Sequence, residues 1–157
     1  LMQHTPNALL LALDQVTDPH NLGACIRTAA AMGVHAVIVP RDRAASLTPT
    51  ARKVAAGGAE KVKFIQVTNL ARTLAHLKDS THTRVIGTML DEKALPLQQC
   101  DFNGAVVIVM GAEEKCGGHR RKWRGPDPKL GATPLKRKAY AIRLLVILRK
   151  LTPTSPI

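Results

Sequence analysis

Aromatic residues are scarce in this chain of 157 residues, at 3% of the composition. Proteins that grip single-stranded nucleic acid by stacking its bases need several exposed rings, so this mode of binding is disfavoured. The three cysteines, Cys25, Cys100 and Cys116, are odd in number and far apart, which indicates free thiols rather than a disulfide framework. Free thiols are typical of a reducing compartment, and we therefore expect a cytoplasmic protein.

Long hydrophobic runs are missing as well. The longest, "ALLLAL" at 8–13 and "AVVIVM" at 105–110, fall far short of the roughly 20 apolar residues of a membrane-spanning helix. We expect a soluble chain with no membrane partner. Its length and its 45% hydrophobic content predict one domain with a core of its own. Because the chain starts at Leu1 and not at methionine, we expect that an N-terminal segment has been lost.

Positive charge is distributed very unevenly. The net charge of +12 would normally indicate a partner with many phosphates. Residues 1–114, however, hold 11 lysines and arginines against 10 acids, whereas residues 115–157 hold 12 against the single Asp127. The basic character therefore belongs almost wholly to the tail.

Five apolar runs recur along the first two thirds of the chain, and several of them are continuous, as buried strands of a parallel sheet are. They cover residues 8–14, 35–40, 63–67, 84–90 and 104–111. Helical patterns lie between them at 21–32, 48–56 and 69–79, with Asn69 at an N-cap position and with Gly33 and Gly57-Gly58 where helices should stop. This alternation predicts the α/β class, with a mostly parallel sheet and flanking helices.

In such a sheet, ligands bind beyond the carboxyl ends of the strands. Gly87 and Gly111 lie at two of these ends, where they would let a ligand approach the backbone, although both could be plain turn glycines. The first strand-to-helix turn, "DQVTDPHNLG", has neither G-x-G-x-x-G nor a phosphate-binding lysine. A nicotinamide dehydrogenase and a nucleotide phosphatase are therefore disfavoured.

The stretch "TDPHNLGACIRTAAAMG", residues 17–33, places an arginine four residues after a glycine in a helical run. Asn21 is expected to cap this helix. Because side chains lean toward the helix start, Arg27 should lie over Gly23, where the missing side chain leaves room to reach an anion such as a phosphate or carboxylate. The alternative is a surface arginine beside a packing glycine.

These residues also carry a family resemblance. "DPHNLGACIRTA" resembles the first signature of the SpoU family of RNA ribose 2′-O-methyltransferases, which belongs to the SPOUT superfamily with its α/β knot fold. "VVIVMGAEEK", residues 106–115, resembles the second signature. The segments between them are similar to bacterial enzymes that methylate a guanosine ribose in large-subunit ribosomal RNA. The resemblance covers residues 8–115 and makes residues 1–115 the expected methyltransferase domain.

The resemblance implies a role for particular residues. Asn21, Arg27 and Glu113 match catalytic positions, and Gly111 matches a glycine that contacts the cofactor. Gly87 and Thr88 would lie in the loop that holds the adenosine of S-adenosylmethionine. We expect Arg27 to clamp a phosphate and polarise the ribose hydroxyl; a direct role as base is the weaker hypothesis, because an isolated guanidinium stays protonated. The family resemblance also implies large-subunit ribosomal RNA as the partner and a homodimer as the assembly. It implies no metal ion.

The family's third signature is not found after residue 115. The sequence continues "CGGHRRKWRGPDPKLGATPLKRKAYAIRLLVILRK", an atypical basic segment, and we hypothesise that residues 116–157 come from a shifted reading frame. A knot closed by that signature would then be incomplete, and we expect the N-terminal substrate-binding domain of related enzymes to be missing as well. The alternative function is a catalytically defective remnant that binds RNA non-specifically through its basic tail.

Overall fold

The computed structural model describes residues 5–42, 44–89, 99, 101–111 and 129–131. The strands in these ranges are β1 (Leu9–Leu13), β2 (Ala36–Pro40), β3 (Lys63–Val67), β4 (Arg84–Met89), β5 (Val106–Met110) and β6 (Lys129–Gly131). The helices are α1 (Pro19–Ala31), α2 (Pro49–Ala55), the single turn α3 (Gly58–Lys61) and α4 (Leu70–Thr81). None of these helices has the length and apolar character needed to cross a membrane.

All six strands run parallel in one sheet, in the order β3-β2-β1-β5-β4-β6. The predicted α/β class is thus confirmed, and each of the five predicted strands is present. The sixth strand, β6, comes from the basic tail and pairs with β4. Its three residues carry too little pattern to be recognised in the sequence, because a strand is predicted from the alternation or continuity of several apolar residues.

Two hydrophobic cores lie on the two faces of the sheet. On one face, α1, α2 and α3 cover a core that includes Leu11, Leu13, Ile26 and Ile108. On the other face, α4 packs Leu70 and Leu74 against another set of strand residues, among them Leu10, Ala12, Ile38, Val85, Val107 and Val109. Leu70 and Leu74 are four residues apart and so share one face of the helix, and the predicted cap Asn69 accepts from the backbone N–H of Arg72 at 3.0 Å.

The glycine pair at 57–58 does more than end a helix. Ala56, in the left-handed region at φ 48°, is the C-cap residue of α2, and Gly57 follows at φ 81°. Gly58 then opens α3, a turn that the sequence pattern did not predict. Gly33, at φ 70° just after the end of α1, is the helix stop that was expected.

Candidate active site

The site lies at the carboxyl edge of the sheet, where the strand order reverses. The chain builds β1, β2 and β3 in one direction, then crosses to the other side to build β4 and β5, so β5 lies beside β1. Leu13, Met110, Thr88 and Leu130 form one continuous row across β1, β5, β4 and β6. Residues that follow these strands are therefore neighbours at one edge, which is where parallel sheets place their ligands.

Helix α1 begins at this edge, but Asn21 does not cap it. The cap is Asp18, with an extended backbone, and its side chain accepts from the N–H of His20 at 3.0 Å. Pro19 occupies the first helical position, where its fixed φ and missing N–H are tolerated best. The predicted cap was thus wrong, because Asp followed by Pro is a stronger start signal than the Asn two residues later. Asn21 lies in the first turn, with its side chain exposed.

Gly23 does not leave open space for the arginine. A Cβ atom at this position would lie 2.5 Å from the carbonyl oxygen of Ala51 and 2.7 Å from Cβ of Val54. The missing side chain instead lets α2 pack directly on α1, which is the packing role that the sequence left open. The expected path for the guanidinium across Gly23 is therefore occupied by α2.

Arg27 is exposed, eight residues along α1 from Pro19, so its backbone lies about 12 Å from the helix start. Asn21 and Arg27 are separated by six residues, which places them about 9 Å apart along the axis and a third of a turn apart around it. Neither side chain has a hydrogen bond or ion pair with another described residue. Within the described part of the chain, Arg27 is thus a cation without a partner on α1, at some distance from the edge, and the two side chains are not brought together.

The backbone at Arg27 is held by a contact that the sequence did not reveal. A Cβ atom at Gly58 would lie 3.1 Å from Cα of Arg27 and 3.1 Å from the carbonyl oxygen of Ile26. Helices α1 and α3 therefore meet without an intervening side chain beneath the arginine. The only signal in the sequence was the second glycine of a pair, which was interpreted as a helix stop.

The two predicted cofactor residues on β4 lie in this edge of the sheet. Gly87 is buried and is in register with Val109 on one side and Lys129 on the other. Thr88 is half-buried, and its hydroxyl donates to the carbonyl oxygen of Val109 at 3.1 Å. The oxygen of Thr88 can still accept a hydrogen bond, because a hydroxyl has one donor and two lone pairs.

Gly111 directly follows β5 and is exposed. Apart from its chain neighbours, no described residue has a heavy atom within 4 Å of the place where a Cβ atom would stand. Its backbone is thus open to a ligand from the side-chain direction, as expected of a glycine at a strand end. Glu113, the third predicted catalytic residue, lies outside the described residues.

Two further residues lie at this edge: Gly131, which the sequence did not point to, and Asp14, the last residue of the predicted run 8–14, which was given no role. Gly131 ends β6 beside Met89 at the end of β4, so a third glycine joins Gly87 and Gly111 on adjacent strands. Asp14 follows β1 and donates its backbone N–H to the carbonyl oxygen of Met110 at 2.8 Å. The sequence signal for Asp14 was a carboxylate immediately after a buried strand. For Gly131 there was none, because only the pairing of β6 with β4 reveals its place.

Cys25 also lies on α1 but faces the core. It is a free thiol, fully buried, and burial raises its pKa to about 12. A thiol becomes a nucleophile only as the thiolate, and a buried site opposes that charge. Cys25 therefore has a packing role and takes no part in the chemistry of this edge. Among the described residues, no group of three or more His, Cys, Asp and Glu side chains could hold a metal ion.

Solved structures with this architecture define the class of the fold. The crystal structure of the SpoU methyltransferase AviRb from Streptomyces viridochromogenes, in complex with the cofactor AdoMet, superposes with a TM-score of 0.75. The match covers 92% of this chain and 57% of that one, at 22% sequence identity. The chain therefore shares the fold of this SpoU methyltransferase.

The sequence narrows the class further. The model of the SpoU rRNA Methylase family matches residues 8–122, and the chain belongs to this family. It is 80% identical over 114 residues to the 23S rRNA (guanosine-2'-O-)-methyltransferase RlmB of Acinetobacter baylyi, a match that covers 73% of this chain and 46% of the relative. The RlmB protein of Haemophilus ducreyi is 47% identical over 146 residues, covering 93% and 58%. The chain thus spans about half the length of these relatives.

Proposed function

We propose that this chain is the catalytic core of an enzyme that methylates the 2′-hydroxyl of a guanosine ribose in large-subunit ribosomal RNA, with S-adenosylmethionine as methyl donor. The observation that carries the proposal is the 80% identity to a relative named for this reaction. The cytoplasm, where ribosomal RNA is made in bacteria, is the proposed location, and a homodimer is the proposed assembly.

The edge formed by β4, β5 and β6 is suited to the cofactor. Gly87 and Gly111 present backbone without side chains, and the Gly111 side is open. Adenine and ribose can be recognised by backbone N–H and C=O groups of such strand ends, and the hydroxyl of Thr88 adds a polar group beside them. These three residues would hold S-adenosylmethionine, which supplies a methyl group on a sulfonium that leaves as a neutral thioether.

The residues on α1 would act on the methyl acceptor. Arg27 is an exposed and unpaired cation within the described part of the chain, so it is free to bind an RNA phosphate and to polarise the neighbouring ribose hydroxyl. Correct placement of that hydroxyl in line with the methyl group removes much of the barrier. Asn21 would orient the RNA, and Glu113 would orient Arg27 or the RNA. As the bond from the ribose oxygen to the methyl carbon forms, the bond from that carbon to the sulfonium sulfur breaks, and the hydroxyl proton passes to solvent water.

The Arg27→Ala variant tests this assignment. Methylation of a 23S ribosomal RNA transcript, measured by transfer of labelled methyl, should fall below detection, while the Kd for S-adenosylmethionine should stay within about twofold of the original value. Arg72→Ala is the matched control, because Arg72 is an exposed arginine on α4, on the opposite face of the sheet. Near-normal turnover of Arg27→Ala would contradict the role given to the guanidinium.

A second candidate rests on the charge of the tail. Residues 115–157 carry 12 of the 23 basic residues and one acid, as a remnant that binds RNA without specificity would. For this second function we propose that residues 116–157 result from a shifted reading frame. Resequencing of the coding DNA tests whether the frame is shifted. Calorimetric titration with S-adenosylmethionine separates the two functions: the enzyme binds it saturably, whereas the remnant binds only RNA, with an affinity that falls steeply as salt is added.

A further inference from the structure

Asp14 is a half-buried carboxylate at the point where the strand order reverses. It directly follows β1, and its backbone N–H donates to the carbonyl oxygen of Met110, the last residue of β5, at 2.8 Å. This bond continues the ladder between the two strands by one step beyond the pair Leu13 and Met110. Asp14 is therefore fixed beside Gly111, the residue that follows Met110.

The alternation of side chains assigns Asp14 to the face of the sheet that carries the glycines. Ala12 and Val109 both belong to the core on the α4 face, and Gly87 is in register with Val109. Continuing the alternation by two residues places Asp14 and Gly111 on this same face. Because no described residue fills the space beside Gly111, the carboxylate borders backbone that the described part of the chain leaves uncovered.

We propose that Asp14 is a positioning residue that accepts a hydrogen bond from a ribose hydroxyl of a ligand bound at this edge. A carboxylate only accepts, so its natural partner is a hydroxyl donor, while a phosphate would be repelled. The inference rests on the proposed function, which brings two riboses to the site: that of the cofactor and that of the target nucleotide. The shared chemistry is the ribose hydroxyl.

Among the described residues, the other acids near this edge are less suited to the role. Asp18 is engaged as the cap of α1, where its oxygen accepts from the N–H of His20. Asp42 is exposed and follows β2, on the side away from β5. Asp14 itself interacts with another group of the protein, but an ionised carboxylate offers about four lone-pair sites, which leaves capacity for a ligand.

The test compares Asp14→Asn with the matched control Asp42→Asn, which removes the same charge at the same edge. Calorimetry with S-adenosylhomocysteine and filter binding with a 23S ribosomal RNA transcript give the two Kd values for each variant. We expect Asp14→Asn to raise one of them at least tenfold while its melting temperature stays near that of the control. The ligand affected identifies which ribose is bound.

A second measurement uses the unchanged protein, so it does not depend on the folding of a variant. If Asp14 binds the cofactor ribose, S-adenosylhomocysteine lacking both ribose hydroxyls should bind the original chain at least tenfold more weakly, and Asp14→Asn should not distinguish the two compounds. If Asp14 binds the target ribose, Asp14→Glu should weaken RNA binding as Asp14→Asn does. Unchanged Kd values for both ligands in both variants would overturn the inference while leaving the proposed function intact. Failure of the original chain to bind S-adenosylhomocysteine would instead overturn the proposed function.

Discussion

The carbonyl oxygen of Ala51 on α2 lies 2.5 Å from the place where a Cβ atom of Gly23 on α1 would stand. Real Cβ atoms essentially never approach an oxygen this closely, so no other residue fits here without moving a helix. The glycine of the first family signature thus sets the distance between the two helices on the side of the sheet that carries Arg27.

Gly23→Ala should therefore destabilise the fold even though alanine is the better helix former. Overpacking costs about 1–3 kcal/mol, and the gain in helix propensity returns about 0.5–1 kcal/mol. We expect a net loss of roughly 1–2 kcal/mol in the free energy of unfolding, measured by urea denaturation. A variant as stable as the original chain would show that α2 can move away freely.

Gly111→Ala is the complementary case, because the space beside Gly111 is open and its φ is not in the left-handed region. Its free energy of unfolding should stay within about 0.5 kcal/mol of the original value, as for surface substitutions generally. If the cofactor approaches this backbone, the added methyl group should raise the Kd for S-adenosylmethionine at least tenfold in calorimetry. An unchanged Kd would remove Gly111 from the cofactor site.

Asp18 and Asn21, at the start of α1, should differ in their effects on stability and on methylation. Asp18→Ala removes the cap of α1 and should cost about 1 kcal/mol of stability, whereas Asp18→Asn keeps an acceptor and should cost little. Asn21→Ala should leave stability nearly unchanged, since its side chain makes no capping bond. Denaturation curves of the three variants check this, and the proposed function adds that only Asn21→Ala lowers methylation at equal stability.

Much of the fold was predictable from the sequence because its strands are continuous apolar runs. The leucines of α4 and its cap Asn69 carry local signals that tertiary contacts do not override. The edge of the sheet as the site follows from the same pattern, since parallel strands bring their carboxyl ends together.

Contacts between distant segments could not be predicted in this way. The packing of Gly23 on Ala51 joins helices that are separated by a strand, and that of Gly58 on Arg27 joins α3 to α1. Neither leaves a periodic pattern, because a glycine that permits close approach looks the same in the sequence as one that ends a helix. The pairing of β6 with β4 was missed for a related reason, since a strand of three residues is specified by its neighbour.

The thiol of Cys25 should resist alkylation in the folded protein. Burial raises its pKa to about 12, so almost no thiolate exists at pH 8, and the side chain has no exposed surface. Iodoacetamide at pH 8 should leave Cys25 unmodified in buffer and modify it fully in concentrated urea. Peptide mapping by mass spectrometry reports on this cysteine alone, so the other two do not interfere. Rapid modification in buffer would show that α1 opens readily.

The ion pair between Arg84 and Asp101 should make stability depend on pH in the acid range. The backbone N–H of Asn103, which donates to Asp101 at 2.9 Å, and the guanidinium of Arg84 both hold the pKa of this carboxyl below its usual value of 3.8. A carboxyl with a lower pKa in the folded state contributes stability that is present above its unfolded pKa and is lost as the pH falls through the folded pKa. Both side chains are largely exposed, so the effect should be small.

Melting temperatures should therefore fall more steeply below about pH 4 for the original chain than for Asp101→Asn. Asp79→Asn, which removes an exposed carboxyl on α4, is the matched control for the loss of one negative charge. Parallel curves for the original chain and Asp101→Asn would show that the pair contributes nothing to folding.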